Sequence, residues 1–175
     1  MITQDLDILK DTAFFLFKEW VQNKCRLVVS DIIESEESKA YAACTFQVND
    51  ANIIYRQSKI TPTKTGQFVT IWKRNKAGIT EAFCSTDNFD YLTIVARSGL
   101  NIGAFIFPKN VLLENGIIGI NGKDGKRGIR IYPPWDVAAN KQAVKTQQWQ
   151  KEYFIDLKDE ENTTAGRVSK ILSGV

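Results

Sequence analysis

The sequence contains no histidine, and this absence narrows the chemistry available to the protein. Without histidine there is no Ser-His-Asp or Cys-His nucleophile system and no histidine general base. Zinc sites that contain histidine and the two-histidine iron site are excluded as well. An enzyme built on this chain would have to work through carboxylates, Lys, Tyr, Cys or a bound cofactor.

Cysteines and long apolar runs are also scarce. Cys25, Cys44 and Cys84 lie far apart and form no C-x-x-C pair, which argues against a disulfide framework or a zinc knuckle. No apolar run reaches the ~18 residues of a transmembrane helix, and the first ten residues carry acids where a signal peptide has a basic region. We therefore expect a cytoplasmic protein with buried, reduced thiols, no bound metal or cofactor and no membrane association.

Charge is distributed unevenly along the 175 residues, whose formal net charge is +3. Residues 1–50 hold five basic and nine acidic residues, a net charge of −4, whereas residues 51–135 hold twelve and five, a net charge of +7. Residues 136–175 hold six of each sign and are neutral. Such an asymmetry indicates a polyanionic partner, and nucleic acid is the partner that we expect.

Hydrophobic periodicity predicts the secondary structure. Apolar residues at helical spacing predict helices over residues 2–22 and 136–150, the second with Asp136 as its N-cap. Apolar runs bounded by turn residues predict strands over residues 25–33, 41–48, 52–58, 66–73, 89–96, 102–107 and 129–132. This order predicts a single mixed α+β domain over residues 1–175, with a central mixed sheet flanked by helices.

The segment 64–75 combines a predicted strand with basic residues and large aromatic side chains. Lys64, Lys73 and Arg74 are candidates for contact with phosphates, and Trp72 is a candidate for stacking on a base. The alternative interpretation is structural: the aromatic rings belong to the core and the basic residues form a solvated strand edge.

A second basic segment, residues 125–135, is rich in glycine, which lets the backbone approach a phosphate closely. It lacks the Ser/Thr and the spacing of a P-loop. The alternative is an ordinary basic hairpin turn. The candidate phosphate-binding residues are Lys126, Arg127 and Arg130, and the candidate stacking or wall residues are Tyr132 and Trp135.

A metal-dependent nuclease site can be sought at the ends of two predicted strands. Asp87 or Asp90 would supply one carboxylate, and Lys109 stands where a nuclease lysine is expected after an acid-x-Lys pattern. The acid position of that pattern holds Phe107. Since Mg²⁺ usually needs one or two carboxylates plus substrate oxygens, we predict an incomplete metal site and assign Lys109 to nucleic-acid contact instead.

Several short motifs lie in order along residues of about 40–155. They are Lys59-Ile-Thr-Pro62 with Lys64, Gly66-Gln67-Phe68-Val69-Thr70 with Trp72-Lys73-Arg74, Phe105-Ile-Phe-Pro-Lys109, Gly125-Lys126-Arg127-Gly128 leading to Arg130 and Tyr132-Pro133-x-Trp135, and Thr146-Gln147-x-Trp149 with Tyr153-Phe154. In these motifs the chain resembles the MepB-like proteins, a family associated with a multidrug-export gene cluster. The resemblance implies a fold similar to the core of type II restriction endonucleases and a nucleic-acid-binding role, and it carries over no catalytic residue.

Three functions remain open at this point. The first, which we favour, is a nucleic-acid-binding domain without catalysis, because the basic segment also carries aromatic side chains. The second is a metal-dependent nuclease, which would need another acid near Asp87, Asp90 and Lys109. The third is an accessory domain whose basic face binds an anionic small molecule or a protein partner. The positions of the basic side chains in the folded chain discriminate between them.

Overall fold

The structure, a computed structural model, describes residues 13–159 and 162–172. Most of the predicted strands are present, and the predicted helix at 2–22 is present from residue 13 onward, its earlier part lying outside the described residues. The helices are α1 (Ala13–Cys25), α2 (Lys109–Glu114), α3 (Lys141–Lys151) and α4 (Asn162–Leu172). The strands are β1 (Val29–Glu34), β2 (Cys44–Val48), β3 (Ala51–Gln57), β4 (Lys59–Thr61), β5 (Lys64–Thr70), β6 (Trp72–Arg74), β7 (Thr80–Ala82), β8 (Tyr91–Ser98), β9 (Asn101–Pro108), β10 (Gly128–Ile131) and β11 (Phe154–Asp156).

A six-stranded sheet in the order β1-β2-β3-β8-β9-β11 forms the centre of the fold. Its neighbouring strands are antiparallel except β3 and β8, which run parallel. Strands β8 and β9 each bury six consecutive residues, as strands covered on both faces do. The predicted mixed α+β fold with a central mixed sheet is therefore confirmed.

Each face of the sheet has its own hydrophobic core. Helices α1 and α4 cover one face, where Phe14 and Phe17 of α1 pack against Phe46 and Tyr55 of the sheet. The other face packs against a second layer made of a three-stranded sheet, β10-β5-β4, a two-stranded sheet, β6-β7, and the helices α2 and α3. In this second core, Trp149 of α3 lies 5.3 Å from the ring of Phe107.

The predicted strand 66–73 is divided between two sheets. Its first part belongs to β5 and pairs with β10 and β4, and its last part forms β6, which pairs with β7. The division falls at Ile71, whose buried side chain anchors the chain in the second core and whose N–H donates to the carbonyl of Arg127 at 2.9 Å. As a result, Lys64 lies on one small sheet, whereas Lys73 and Arg74 lie on the other.

The helix predicted at 136–150 starts later than expected. Its N-cap is Asn140 rather than Asp136, because the Asn140 side chain accepts a hydrogen bond from the N–H of Ala143 at 2.9 Å. Asp136 lies instead in the preceding loop, where its carbonyl accepts from the Gln147 side chain at 2.9 Å. In the described part of the chain, no helix is long and apolar enough to cross a membrane.

Candidate functional site

A half-open groove of about 620 Å³ lies between the three-stranded sheet and α3. It is lined by strand β10, by the turn between β4 and β5, and by Asn140 with side chains along the length of α3. None of the described residues that line it is acidic. We call it the basic groove and define it by Lys64, Lys126, Arg130, Tyr132, Asn140 and Trp149.

Two lysines on this groove carry positive charge that no described residue pairs with. Lys64 begins β5 and Lys126 precedes β10, and both are exposed. Among the described residues, neither ammonium group has a hydrogen-bond or ion-pair partner. The backbone N–H of Lys126 donates to the carbonyl of Ile117 at 2.8 Å, which positions the residue on the groove wall. Both charges are therefore available to a ligand.

Arg130 has a partly structural role in the same groove. It pairs with Phe68 across the β10–β5 ladder, which directs its side chain away from the core. Its Nη1 donates to the Thr61 hydroxyl at 3.0 Å and to the carbonyls of Thr65 and Gly66, each at 3.2 Å. The guanidinium thus ties down the β4–β5 turn while leaving its positive charge at the groove.

Gln150, which sequence reasoning did not select, holds the groove in shape. This side chain is 1% exposed and behaves like an extra strand segment at the edge of β10. Its Oε1 accepts from the N–H of Tyr132 at 2.8 Å, and its Nε2 donates to the carbonyl of Arg130 at 3.1 Å. The sequence feature that could have indicated Gln150 is its position directly after the motif Thr146-Gln147-x-Trp149, on the same helix.

The predicted residues on β6 lie at a different place, among acids. The Lys73 ammonium lies 2.5 Å from the Asp87 carboxylate and 3.1 Å from that of Glu81. Burial alone would lower the pKa of Lys73, but these two carboxylates outweigh it and raise that pKa. Burial alone would raise the pKa of Asp87, but hydrogen bonds from Lys73 and the Cys84 N–H outweigh it and lower that pKa.

The neighbours of Lys73 are engaged as well. The Nε of Arg74 lies 2.5 Å from a carboxylate oxygen of Glu37, and its guanidinium packs over the ring of Trp72 at 5.4 Å. Trp72, Lys73 and Arg74 line a second cavity, separate in its lining residues from the basic groove.

The three other predicted contacts lie outside the basic groove. Arg127 pairs with Asp124 at 3.1 Å. Trp135 packs edge-on against Phe154, with 5.7 Å between ring centroids. The Lys109 ammonium donates to the carbonyl of Asp87 and lies 4.8 Å from the ring centre of Phe89.

The carboxylates considered for a metal site are used in other contacts. Asp87 accepts from Lys73 through one oxygen and from the Cys84 N–H through the other, at 2.8 Å. Asp90 accepts from the backbone N–H of Asn52 at 2.8 Å. Phe107 is buried in the second core. Within residues 13–159 and 162–172, no three His, Cys, Asp or Glu side chains form a group that could hold a metal ion.

The fold and the groove together define a mixed α+β protein with a basic groove between its three-stranded sheet and α3, and the described residues that line this groove include no acid. A family model described as MepB-like matches residues 35–156. The chain belongs to the MepB-like family.

Two solved structures are similar to this chain. A crystal structure of MepB is 31% identical in sequence and has a TM-score of 0.74, covering 91% of this chain and 100% of its own. A bacterial homing endonuclease, I-Ssp6803I, is 12% identical and has a TM-score of 0.43, covering 84% of this chain and 90% of its own. A search of curated protein sequences gives no significant match.

Proposed function

We propose that the protein is a non-catalytic nucleic-acid-binding domain that holds the phosphate backbone in the basic groove. The observation that supports this most is the pair of unpartnered lysines, Lys64 and Lys126, on a groove whose described lining contains no acid. An exposed lysine with no intramolecular partner can neutralise a phosphate without first breaking an ion pair. Neutralising phosphates releases condensed counterions and supplies most of non-specific nucleic-acid affinity.

The other lining residues suit the same ligand. Arg130 adds a third positive charge, and Tyr132 is half-buried, with its backbone N–H bonded to Gln150 and its ring beside Gly66, so the ring offers a stacking surface. Stacking on an aromatic side chain is tolerant of base identity. We therefore expect binding with little sequence preference. We also expect single-stranded nucleic acid to bind more tightly than a duplex, because its bases are free to stack.

Under this proposal the predicted nucleic-acid-binding residues do not all contribute equally. Lys64, Lys126, Arg130 and Tyr132 contact the ligand. Lys73 and Arg74 must first leave acidic partners before they can bind a phosphate, so their contribution is smaller.

The test is fluorescence anisotropy with a labelled single-stranded oligonucleotide, titrated at several salt concentrations. We expect the double variant Lys64→Gln/Lys126→Gln to bind at least tenfold more weakly at low salt. Each lost phosphate contact should reduce the slope of log K against log salt by about 0.7 for a single strand. The lysine-to-glutamine change keeps a long polar side chain and removes the charge.

The matched control is Lys76→Gln, which removes an exposed lysine from the turn between β6 and β7. Lys76 lines neither the basic groove nor the cavity beside β6. Its variant should retain both affinity and salt slope. Equal losses in the control and the double variant would show a diffuse charge effect and contradict the groove, and absence of binding by the natural chain at low salt would overturn the proposal.

A further inference from the structure

Arg56 is a charged residue in the middle of the fold. It lies on β3, a central strand of the six-stranded sheet, and its side chain is on the same face as that of Ile54, a member of the second core. Only 3% of its surface is exposed. A guanidinium is almost never buried to this extent without a carboxylate or phosphate partner.

The guanidinium of Arg56 is poorly satisfied within the chain. Its Nη1 donates to the carbonyl of Tyr55 at 2.8 Å, whereas its buried Nε has no hydrogen-bond partner among the described residues. No described carboxylate forms an ion pair with it. Burial lowers its pKa to about 10, so the group remains positively charged at neutral pH. Arg56 is therefore a buried cation that has no anionic partner in the described part of the chain.

Arg56 borders the cavity beside β6, which has a volume of about 370 Å³. Apolar and aromatic side chains form much of its wall, namely Ile54, Trp72, Phe83 and Phe89. This volume lies in the range of pockets that hold small organic ligands.

Among the basic residues that line this cavity, Arg56 is the one that forms no ion pair with a described residue. Of the other charged residues that line it, Lys73 is paired with Asp87 and Arg74 with Glu37. Each of these two pairs is neutral within itself. Glu81 also pairs with Lys73 from outside the lining, so Arg56 is the lining cation that has no carboxylate partner among the described residues.

We propose that this cavity, the arginine pocket (Arg56, Trp72, Phe83 and Phe89), binds a small aromatic carboxylate. The carboxylate accepts a hydrogen bond from Nη2 of Arg56, and hydrogen bonds between two charged groups are roughly twice as strong as neutral ones. The aromatic side chains contact the flat body of the ligand. This ligand site is separate from the basic groove and does not rest on the nucleic-acid proposal.

The first test uses the full chain and the probe benzoate, followed by NMR of the Arg56 Nε–H resonance, which is assigned through its own side-chain correlations. We expect this resonance to shift and saturate with benzoate, and not to move with benzamide, which has the same shape without the charge. Acetate, which lacks the ring, should bind at least tenfold more weakly. Benzamide binding as tightly as benzoate, or an unmoved Arg56 resonance, would overturn the proposal.

Phenyl phosphate separates the two kinds of anion. Weaker binding of phenyl phosphate than of benzoate supports a carboxylate site, and the opposite order overturns that assignment.

Variants provide the second test. Arg56→Gln should reduce benzoate affinity at least tenfold, while Lys64→Gln, in the basic groove, should leave it unchanged. Trp72→Leu should weaken benzoate severalfold and leave acetate unaffected, since acetate makes no ring contact. Equal losses of benzoate and acetate affinity in Trp72→Leu would contradict the role of the aromatic wall. The measurements on the natural chain decide the question even where Arg56→Gln does not fold.

Discussion

Among single residues, the three cysteines show how burial sets reactivity. Cys25 on α1 and Cys44 on β2 are buried, and burial raises their thiol pKa values to about 11 and about 12 respectively. A thiol reacts through its thiolate, so both groups are inert at neutral pH in the folded state. Cys84 is only partly buried, and its sulfur lies 3.1 Å from the Thr86 hydroxyl in a turn before β8.

We therefore expect one accessible thiol in the native protein. Ellman's reagent at neutral pH should modify Cys84 rapidly, whereas Cys25 and Cys44 should react only as fast as the protein unfolds. The variant Cys84→Ser should lack the fast phase. In urea all three thiols should react at once. A fast phase that persists in Cys84→Ser would contradict the burial of the other two.

At the scale of elements, Gly66 allows β5 to pack closely against the end of β10 beside the basic groove. Gly66 on β5 has φ +80°, a left-handed conformation that is strained for any residue with a Cβ. A Cβ at this position would lie 2.7 Å from the carbonyl oxygen of Ile131 and 2.7 Å from the ring of Tyr132. Glycine is thus required both for the backbone conformation and for the close approach of Tyr132 to the strand.

Gly66→Ala should lower the free energy of unfolding by about 2–5 kcal/mol, the sum of a φ penalty and overpacking against Tyr132. The matched control is Gly78→Ala, because Gly78 has φ +77° but a Cβ there would meet no atom within 4 Å. In that variant only the φ penalty should lower the free energy of unfolding, by about 1–2 kcal/mol. Urea unfolding measures both values. Equal losses would show that crowding by Tyr132 contributes nothing.

Across the whole molecule, one ion-pair cluster ties the two-stranded sheet to the central sheet. Lys73 on β6 reaches Asp87, which lies in the turn that leads into β8, and Glu81 on β7 completes the cluster. Asp87 also holds its own turn through the N–H of Cys84. The cluster is only partly exposed, with side-chain exposures of 28% for Lys73 and 18% for Asp87, so solvent screens it less than a surface pair.

The cluster predicts how stability depends on pH. Because the pKa of folded Asp87 is below its ordinary value of 3.8, its stabilising contribution is complete above that value and is lost as pH falls through the folded pKa. Because the pKa of folded Lys73 is above 10.5, its contribution is complete below that value and is lost as pH rises further. Stability should therefore fall at both ends of the pH range.

Asp87→Asn isolates the acid side of this dependence. The variant should lower the free energy of unfolding at neutral pH by about 1 kcal/mol and flatten its fall below about pH 4. Urea unfolding at a series of pH values is the measurement. The control is Asp50→Asn, in the exposed turn between β2 and β3. In this variant the free energy of unfolding should fall below about pH 4 as steeply as in the natural chain. If the free energy of unfolding of Asp87→Asn fell below about pH 4 as steeply as that of the natural chain, the role of the cluster would be contradicted.

The elements with strong periodicity could be predicted, and those that depend on a remote partner could not. Strands β8 and β9 follow from their long apolar runs. The short strands β4 and β7 carry little apolar signal and exist because β5 and β6 pair with them. Asp136 fits an N-cap as well as Asn140 does by residue type, and only the path of the loop held by Gln147 decides between them.

The mixed α+β class, the family and the concentration of positive charge in residues 51–135 follow from the amino-acid sequence alone, because periodicity, motifs and composition are local properties of the chain. Which of those charges are available depends on the folded arrangement. Lys73 and Arg74 meet acids 14 and 37 positions away, whereas Lys64 meets none among the described residues. Nothing in the sequence around Arg56 predicts that this residue is buried. It is buried because a second layer covers that face of the sheet.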